Sequence, residues 1–209
     1  GTLTIESSDK KVLQEIGHVT HENLNIDRVP KVVHQAFIAS EDRRFYEHQG
    51  VDFSGIARAI FSNFRAGGVV QGGSTITQQL SRIAFLNQER SIERKLKEMF
   101  LAHSIEGKLN KKQILENYLN LVYLGSVAYG VGDAAWLYFS KSVDQLTLTQ
   151  AATLAGIVPG PSVYSPLINK EFAKERRNVV LKKMEQQGFI NKQEADRAIA
   201  SPLEIKPSQ

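Results

Sequence analysis

From Phe53 to Phe64 the apolar residues Phe53, Ile56, Ala57, Ile60, Phe61 and Phe64 recur three or four positions apart, with Arg58 and Arg65 among them. That spacing predicts an amphipathic helix that also carries cations. Upstream, the apolar run from Val32 to Ile38 follows Pro30, a residue suited to a first helical turn, and predicts a helix running toward Ile38. Within Glu89 to Glu106, Ile92, Leu96 and Met99 share one helical face, while Arg94 and Glu98 share a different one. Asn110 with Gln113 three positions later reads as a capped start for a helix through Ile114, Leu115, Tyr118 and Leu119. The segment from Thr149 to Ile157 is apolar nearly all round, which predicts a buried helix stopped by Pro159-Gly160-Pro161. A charged helix from Lys170 to Gln187 follows and ends at Gly188. The pattern is mostly α, with residues 1–28 a polar, extended start left outside the core and residues 29–209 a single domain. Glycines 67, 68, 72 and 73 mark a flexible loop.

Composition narrows the class. A chain of 209 residues with 42% hydrophobic content can bury a real core. The net charge of +4 is mild, so the placement of cations matters more than their number. Cysteine is absent, which removes disulfides, thiolate metal sites and cysteine nucleophiles. The longest uncharged stretch, Gln145 to Asn169, is interrupted by Gly160 and prolines and does not read as a membrane span.

Two short motifs invite chemistry and fail on inspection. The loop Gly67 to Ser74, GGVVQGGS, matches a phosphate-binding loop except at Gly73, where that loop needs its lysine. Ser7-Ser8-Asp9-Lys10 fits the S-x-x-K pattern of acyl-serine enzymes, but no K-T-G follows it.

Four stretches taken together are more specific. Glu41-Asp42-x-x-Phe45-x-x-His48-x-Gly50, then Gly73-Ser74-Thr75-Ile76-Thr77-Gln78-Gln79, then Arg94-Lys95-x-x-Glu98, then Lys112-x-Ile114-Leu115-x-x-Tyr118-Leu119-Asn120 resemble, in order and spacing, the motifs of peptidoglycan glycosyltransferases, glycosyltransferase family 51. The resemblance spans roughly Ala36 to Arg177. It implies a lysozyme-like globular head and a smaller membrane-facing lobe, about residues 53–73 with its mobile loop, divided by a cleft. The implied reaction polymerises lipid II into β-1,4-linked glycan with inversion at C1 and release of undecaprenyl diphosphate.

Diphosphate leaves without being protonated, so such a transfer needs one base on the acceptor hydroxyl and cations on the departing phosphates. The resemblance gives the base to Glu41 and makes Glu98 the second essential carboxylate. Asp42 is the expected hydrogen-bonding neighbour of the base Glu41, and Phe45 and His48 build the same side of the site. Ser74, Thr75, Gln78 and Gln79 offer short hydroxyls and amides suited to sugars and phosphate oxygens. Arg82, Arg90, Arg94, Lys95 and Lys97 concentrate positive charge where phosphate would need it. For Lys97 alone a solvated helix face is an equal reading, and Glu98 would otherwise form a surface pair with Arg94 worth about 0.3 to 0.5 kcal/mol. The motif around Lys112 to Asn120 reads as scaffold, with Asn120 and Tyr123 shaping the cleft wall.

The family also implies a divalent cation, Mg or Mn, and no organic cofactor. Its partners are lipid II, the growing glycan chain, a membrane surface, and a transpeptidase domain or other cell-wall synthesis proteins, with no nucleic acid. The expected location is the outer face of the bacterial cytoplasmic membrane, with the anchor helix absent from this chain. The phenylalanine-rich helix suits an anionic bilayer surface, although core packing accounts for the same spacing. Two rival readings are a muramidase or lytic transglycosylase, using its glutamate as proton donor, and a non-catalytic membrane or nucleic-acid binding module.

Overall fold

The computed structural model describes the backbone of residues 3–6 and 12–16, and residues 23–67, 72–86 and 91–207 in full. The first two segments, Leu3–Glu6 (β1) and Val12–Ile16 (β2), pair antiparallel with a register shift after Ile5. Hydrophobic periodicity did not mark this hairpin, because the strands are short. The helices are α1 (Lys31–Glu41), α2 (Phe53–Ala66), α3 (Ile76–Phe85), α4 (Ile92–Glu106), α5 (Lys111–Leu121), α6 (Gly130–Phe139), α7 (Leu148–Ile157), the short α8 (Pro161–Tyr164), α9 (Lys170–Gln186) and α10 (Lys192–Ala200). The mostly α class is therefore the observed one.

The head is organised around α7, which is buried along its whole length except at its first two residues and packs against both α1 and α9. Its sequence explains this: Ala151, Ala152, Ala155 and Gly156 are small enough for close approach by two neighbours. Thr147 closes a capping box with Gln150, as Asn110 does with Gln113 at the start of α5. Buried Phe37, Tyr118, Tyr138, Leu154 and Leu181 join these helices into one core.

That core also takes in Ile26, which is buried although it lies in the segment the pattern left outside. The Asn120 amide explains its anchorage. Asn120 Oδ1 accepts from the Leu24 N–H at 2.8 Å and Nδ2 donates to the Leu24 carbonyl at 3.0 Å, as a neighbouring strand would.

The other region centres on α3, which packs against α4 on one side and α5 on the other. Helix α4 inverts the ordinary amphipathic arrangement. Ile92 is 83% exposed, and Leu96 and Phe100 are also exposed, while Glu98 is fully buried. Helix α2 buries only Ala59 among its residues, leaving Phe53, Ile60, Phe61 and Phe64 exposed, Phe64 by 88%. Core packing is thus not what the phenylalanine spacing serves. Among the described residues no helix is long and apolar enough to cross a membrane.

Candidate active site

Glu41 is the last residue of α1, part-exposed beside a buried neighbourhood. Ser40 Oγ donates to its Oε1 at 3.0 Å, and Gln79 Nε2, from α3, donates to its Oε2 at 3.1 Å. Burial raises the carboxyl above its ordinary value, opposed by these two donors and by the charges of Lys183 and Arg176. Lys183 Nζ donates to the Ser40 carbonyl at 3.0 Å and Gln187 Nε2 to the Ala39 carbonyl at 3.0 Å. Two side chains of the α9 region thereby satisfy the terminal carbonyls of α1 and fix where its last residue stands. Burial pulls the Lys183 ammonium below its ordinary value, and the Glu41 charge opposes that shift.

The rest of the first motif lies behind the carboxylate. Asp42 does not bond to Glu41. Its Oδ2 accepts from the first amide of α3, Ile76 N, at 3.0 Å, and from His48 Nε2 at 2.8 Å. The Gly50 N–H donates to His48 Nδ1 at 3.1 Å, so the ring proton sits on Nε2 and points at Asp42. Gly50 has φ +96°, and a Cβ there would lie 2.8 Å from the Ala102 carbonyl, so this turn lets the motif loop press against α4. Phe45 is fully buried beneath Lys111, whose Nζ lies 4.7 Å from the ring centroid and donates to the His48 carbonyl and to Glu106 Oε1, both at 2.7 Å. Thr75 caps α3 in a box with Gln78 and donates to the Gly50 carbonyl at 2.6 Å. Asp42, Phe45, His48, Thr75 and Gln78 are all buried, and through these contacts they tie the end of α1 to the start of α3 and the loop before α2 to α4 and α5.

A second polar group forms where α4 meets the start of α3. Lys95 Nζ donates to Glu98 Oε1 at 2.5 Å and to Ser74 Oγ at 2.7 Å. Ser81 Oγ reaches the Glu98 carbonyl at 3.2 Å. Glu98 is therefore neither on the surface nor paired with Arg94. Lys95, three positions before it, takes one oxygen, while Oε2 is buried without a hydrogen-bond partner. Arg94 Nε is likewise buried and unpartnered. Arg82 is half-buried in the last turn of α3. Lys97 points away and pairs with Glu93 at 2.6 Å on the exposed face, which fits the solvated reading of that residue. Arg90, and residues 68–71 of the proposed mobile loop, lie outside the described residues.

Sequence reasoning missed Lys183, Arg176, Lys111 and Glu106. Arg176 lies inside the stretch of resemblance without a motif role. Nothing local marks Lys183, which meets Ser40 across 143 positions of sequence. Tyr123 is exposed and stacks on Tyr129 with ring centroids 4.9 Å apart. Among the described residues no set of three or more histidine, aspartate or glutamate side chains is arranged to hold a metal. Glu98 Oε2 is the one orphaned carboxylate oxygen there, and it suits an ion whose other ligands come from phosphate and water.

Comparison with known proteins bears on the whole arrangement. The Transglycosylase family model matches residues 9–185. The chain is 48% identical over 201 residues to penicillin-binding protein 1A of Neisseria flavescens, covering 96% of this chain and 25% of that protein. It is 49% identical over 183 residues to the protein of that name from Aquifex aeolicus, covering 88% of this chain and 25% of the relative. For the Escherichia coli penicillin-binding protein 1A the figures are 48% over 195 residues, 93% and 23%. A crystal structure of penicillin-binding protein 1A from Haemophilus influenzae superposes with TM-score 0.58 at 26% identity, covering 100% of this chain and 21% of that one. The chain thus spans about a quarter of the length of these relatives.

Proposed function

The chain belongs to the transglycosylase family as a peptidoglycan glycosyltransferase domain, and from that premise we propose that it polymerises lipid II with Glu41 as general base. The observation that carries this reading is the Glu41 carboxylate itself. It is part-exposed, its proton affinity is raised by burial, and it is still held by two donors beside two cations. A base of that kind can take a proton as a bond forms without being fully protonated beforehand.

In the proposed step the 4-hydroxyl oxygen of the acceptor GlcNAc attacks C1 of the growing chain's terminal MurNAc from the face opposite the phosphate. The new C1–O4 bond forms, the C1–O(phosphate) bond breaks, and the electron pair leaves with undecaprenyl diphosphate. The acceptor's hydroxyl proton passes to Glu41, and the α linkage becomes β. Lys95, bonded to the second carboxylate, supplies positive charge where the departing diphosphate would be stabilised, and Arg94 and Arg82 are the further cations assigned to the phosphates. A magnesium or manganese ion would be held by Glu98 together with phosphate oxygens and water, and would neutralise charge on the leaving group. Ser74 and Lys95, already bonded to each other, lie in the same place and would bind phosphate oxygens directly.

The exposed apolar side chains of α2 and α4 give the lipid a surface to approach along. Leu86, Leu96, Lys97, Phe100 and Leu101 line an open hollow of about 440 Å³. We place this region against the outer leaflet of the cytoplasmic membrane, with the phenylalanines of α2 in the interface and Arg58 and Arg65 near headgroups. By analogy with the longer relatives, a transpeptidase domain is the proposed companion in the full protein. The test that separates synthesis from degradation pairs two substrates. The chain should release undecaprenyl diphosphate from lipid II and leave purified sacculi intact. Degradation of sacculi without lipid II turnover would establish a muramidase instead.

A further inference from the structure

The Gln79 amide can face Glu41 in two ways, and only one of them supports an ionised base. As placed, its Nε2 donates to Glu41 Oε2 at 3.1 Å while its Oε1 accepts from the Tyr118 hydroxyl at 3.1 Å. Reversed, the amide would set its carbonyl oxygen against a carboxylate oxygen and its NH₂ against the phenol. Tyr118 is fully buried in the head core, its ring edge-on to Phe37 with centroids 6.2 Å apart. Packing alone would be served by phenylalanine, without the cost of burying a hydroxyl. The hydroxyl is therefore accounted for by the bond it donates.

We propose that Tyr118 is a positioning residue for the base, acting through Gln79: its hydroxyl locks the amide so that the NH₂ faces Glu41. This rests on Glu41 being the base. The carboxylate is then held in one rotamer with its remaining lone pairs free for the acceptor hydroxyl. The other groups facing Glu41 are Ser40 on α1 and Lys183 and Arg176 on α9, while Asp42 and Arg82 lie around Tyr118. None of them touches the Gln79 carbonyl oxygen, so none replaces the lock.

The experiment is a titration of the Glu41 side-chain carboxyl by ¹³C NMR in the intact chain, which requires no turnover. Tyr118→Phe should raise the midpoint by roughly 0.5 to 1 pH unit, as part of one charge-assisted hydrogen bond is lost. Gln79→Met should raise it as well, and adding Tyr118→Phe to Gln79→Met should then shift it no further. An unchanged midpoint in Tyr118→Phe, or an equal shift in the Gln79→Met background, would overturn the proposal. If the phenylalanine variant does not fold, a ring-fluorinated tyrosine at this position, a stronger donor of the same shape, should lower the midpoint, and no change would count against the lock. Polymer formation by the parent is scored separately. Failure of the coupling leaves the polymerase reading standing, and absence of polymer overturns that reading whatever the titration gives.

Discussion

Lys95 Nζ stands 2.5 Å from Glu98 Oε1, yet the other oxygen of the same buried carboxylate has no hydrogen-bond partner. A structural ion pair would be expected to use both oxygens, because an unmet acceptor in the interior costs free energy. In the proposed function the unmet oxygen is the one that would face the ion or the departing phosphate. Glu98→Gln keeps the shape and frees a lysine that is 38% exposed and can be solvated, so the stability loss should be only about 1 kcal/mol. Turnover of lipid II should fall by about 10²-fold or more if the group acts on developing charge. Unfolding curves and donor kinetics on the same preparation check both halves, and a large stability loss with unchanged kinetics would make the pair structural.

Glu41 should reveal its partly desolvated environment in the pH dependence of stability. Burial raises its folded-state pKa above the ordinary value it takes in the unfolded chain. Below the ordinary value both states are protonated and the contribution is complete. As pH rises through the folded-state value, stability is lost, because the folded chain must then hold a charge it solvates poorly. The stability difference favouring Glu41→Gln over the parent should therefore grow from acid toward neutral pH and then level off. Any hydrogen-bonding difference of the new amide is pH-independent, so the slope carries the test. Urea denaturation at several pH values measures it, and a flat difference would contradict the assignment.

Arg177 is wholly buried and directs its guanidinium to neutral oxygens. It donates to the carbonyls of Ile199 at 3.2 Å, Ser201 at 3.0 Å and Pro202 at 3.0 Å, and to Asn178 Oδ1. The side chain thereby ties the end of α10 to α9. Arg177→Met should cost about 3 kcal/mol or more, and Arg177→Lys somewhat less, since an ammonium cannot span these acceptors. Denaturant midpoints would establish the order, and near-native stability in the methionine variant would refute it.

The double replacement Phe61→Ser and Phe64→Ser removes two exposed rings. It should change stability by less than about 0.5 kcal/mol while weakening cosedimentation with anionic liposomes several-fold. Unchanged liposome binding with a destabilised fold would return these side chains to a packing role.

The sequence pattern located the helices whose signals are local. Asn110 and Gly188 mark ends by capping chemistry, and α7 declares its burial through a run of small apolar residues, although its Thr147 cap lies two positions before the start read from the pattern. It failed where tertiary contacts decide. Nothing in the order of residues around Ile92, Leu96 and Phe100 says that this apolar face is turned outward, because periodicity gives a stripe and not its destination. The site divides in the same way. Motif spacing singles out Glu41 and Glu98 as candidates, but that Asp42 and His48 face each other depends on where Ile76 and Gly50 place their N–H groups. Lys183 reaches α1 from the far end of the chain, and no local signal encodes that meeting.

The most direct measurement incubates the chain with labelled lipid II in detergent and divalent cation and resolves the products by length beside Glu41→Gln. Glycan polymer is expected from the parent and none from the folded variant. Polymer of equal yield and length from both would contradict Glu41 as the base.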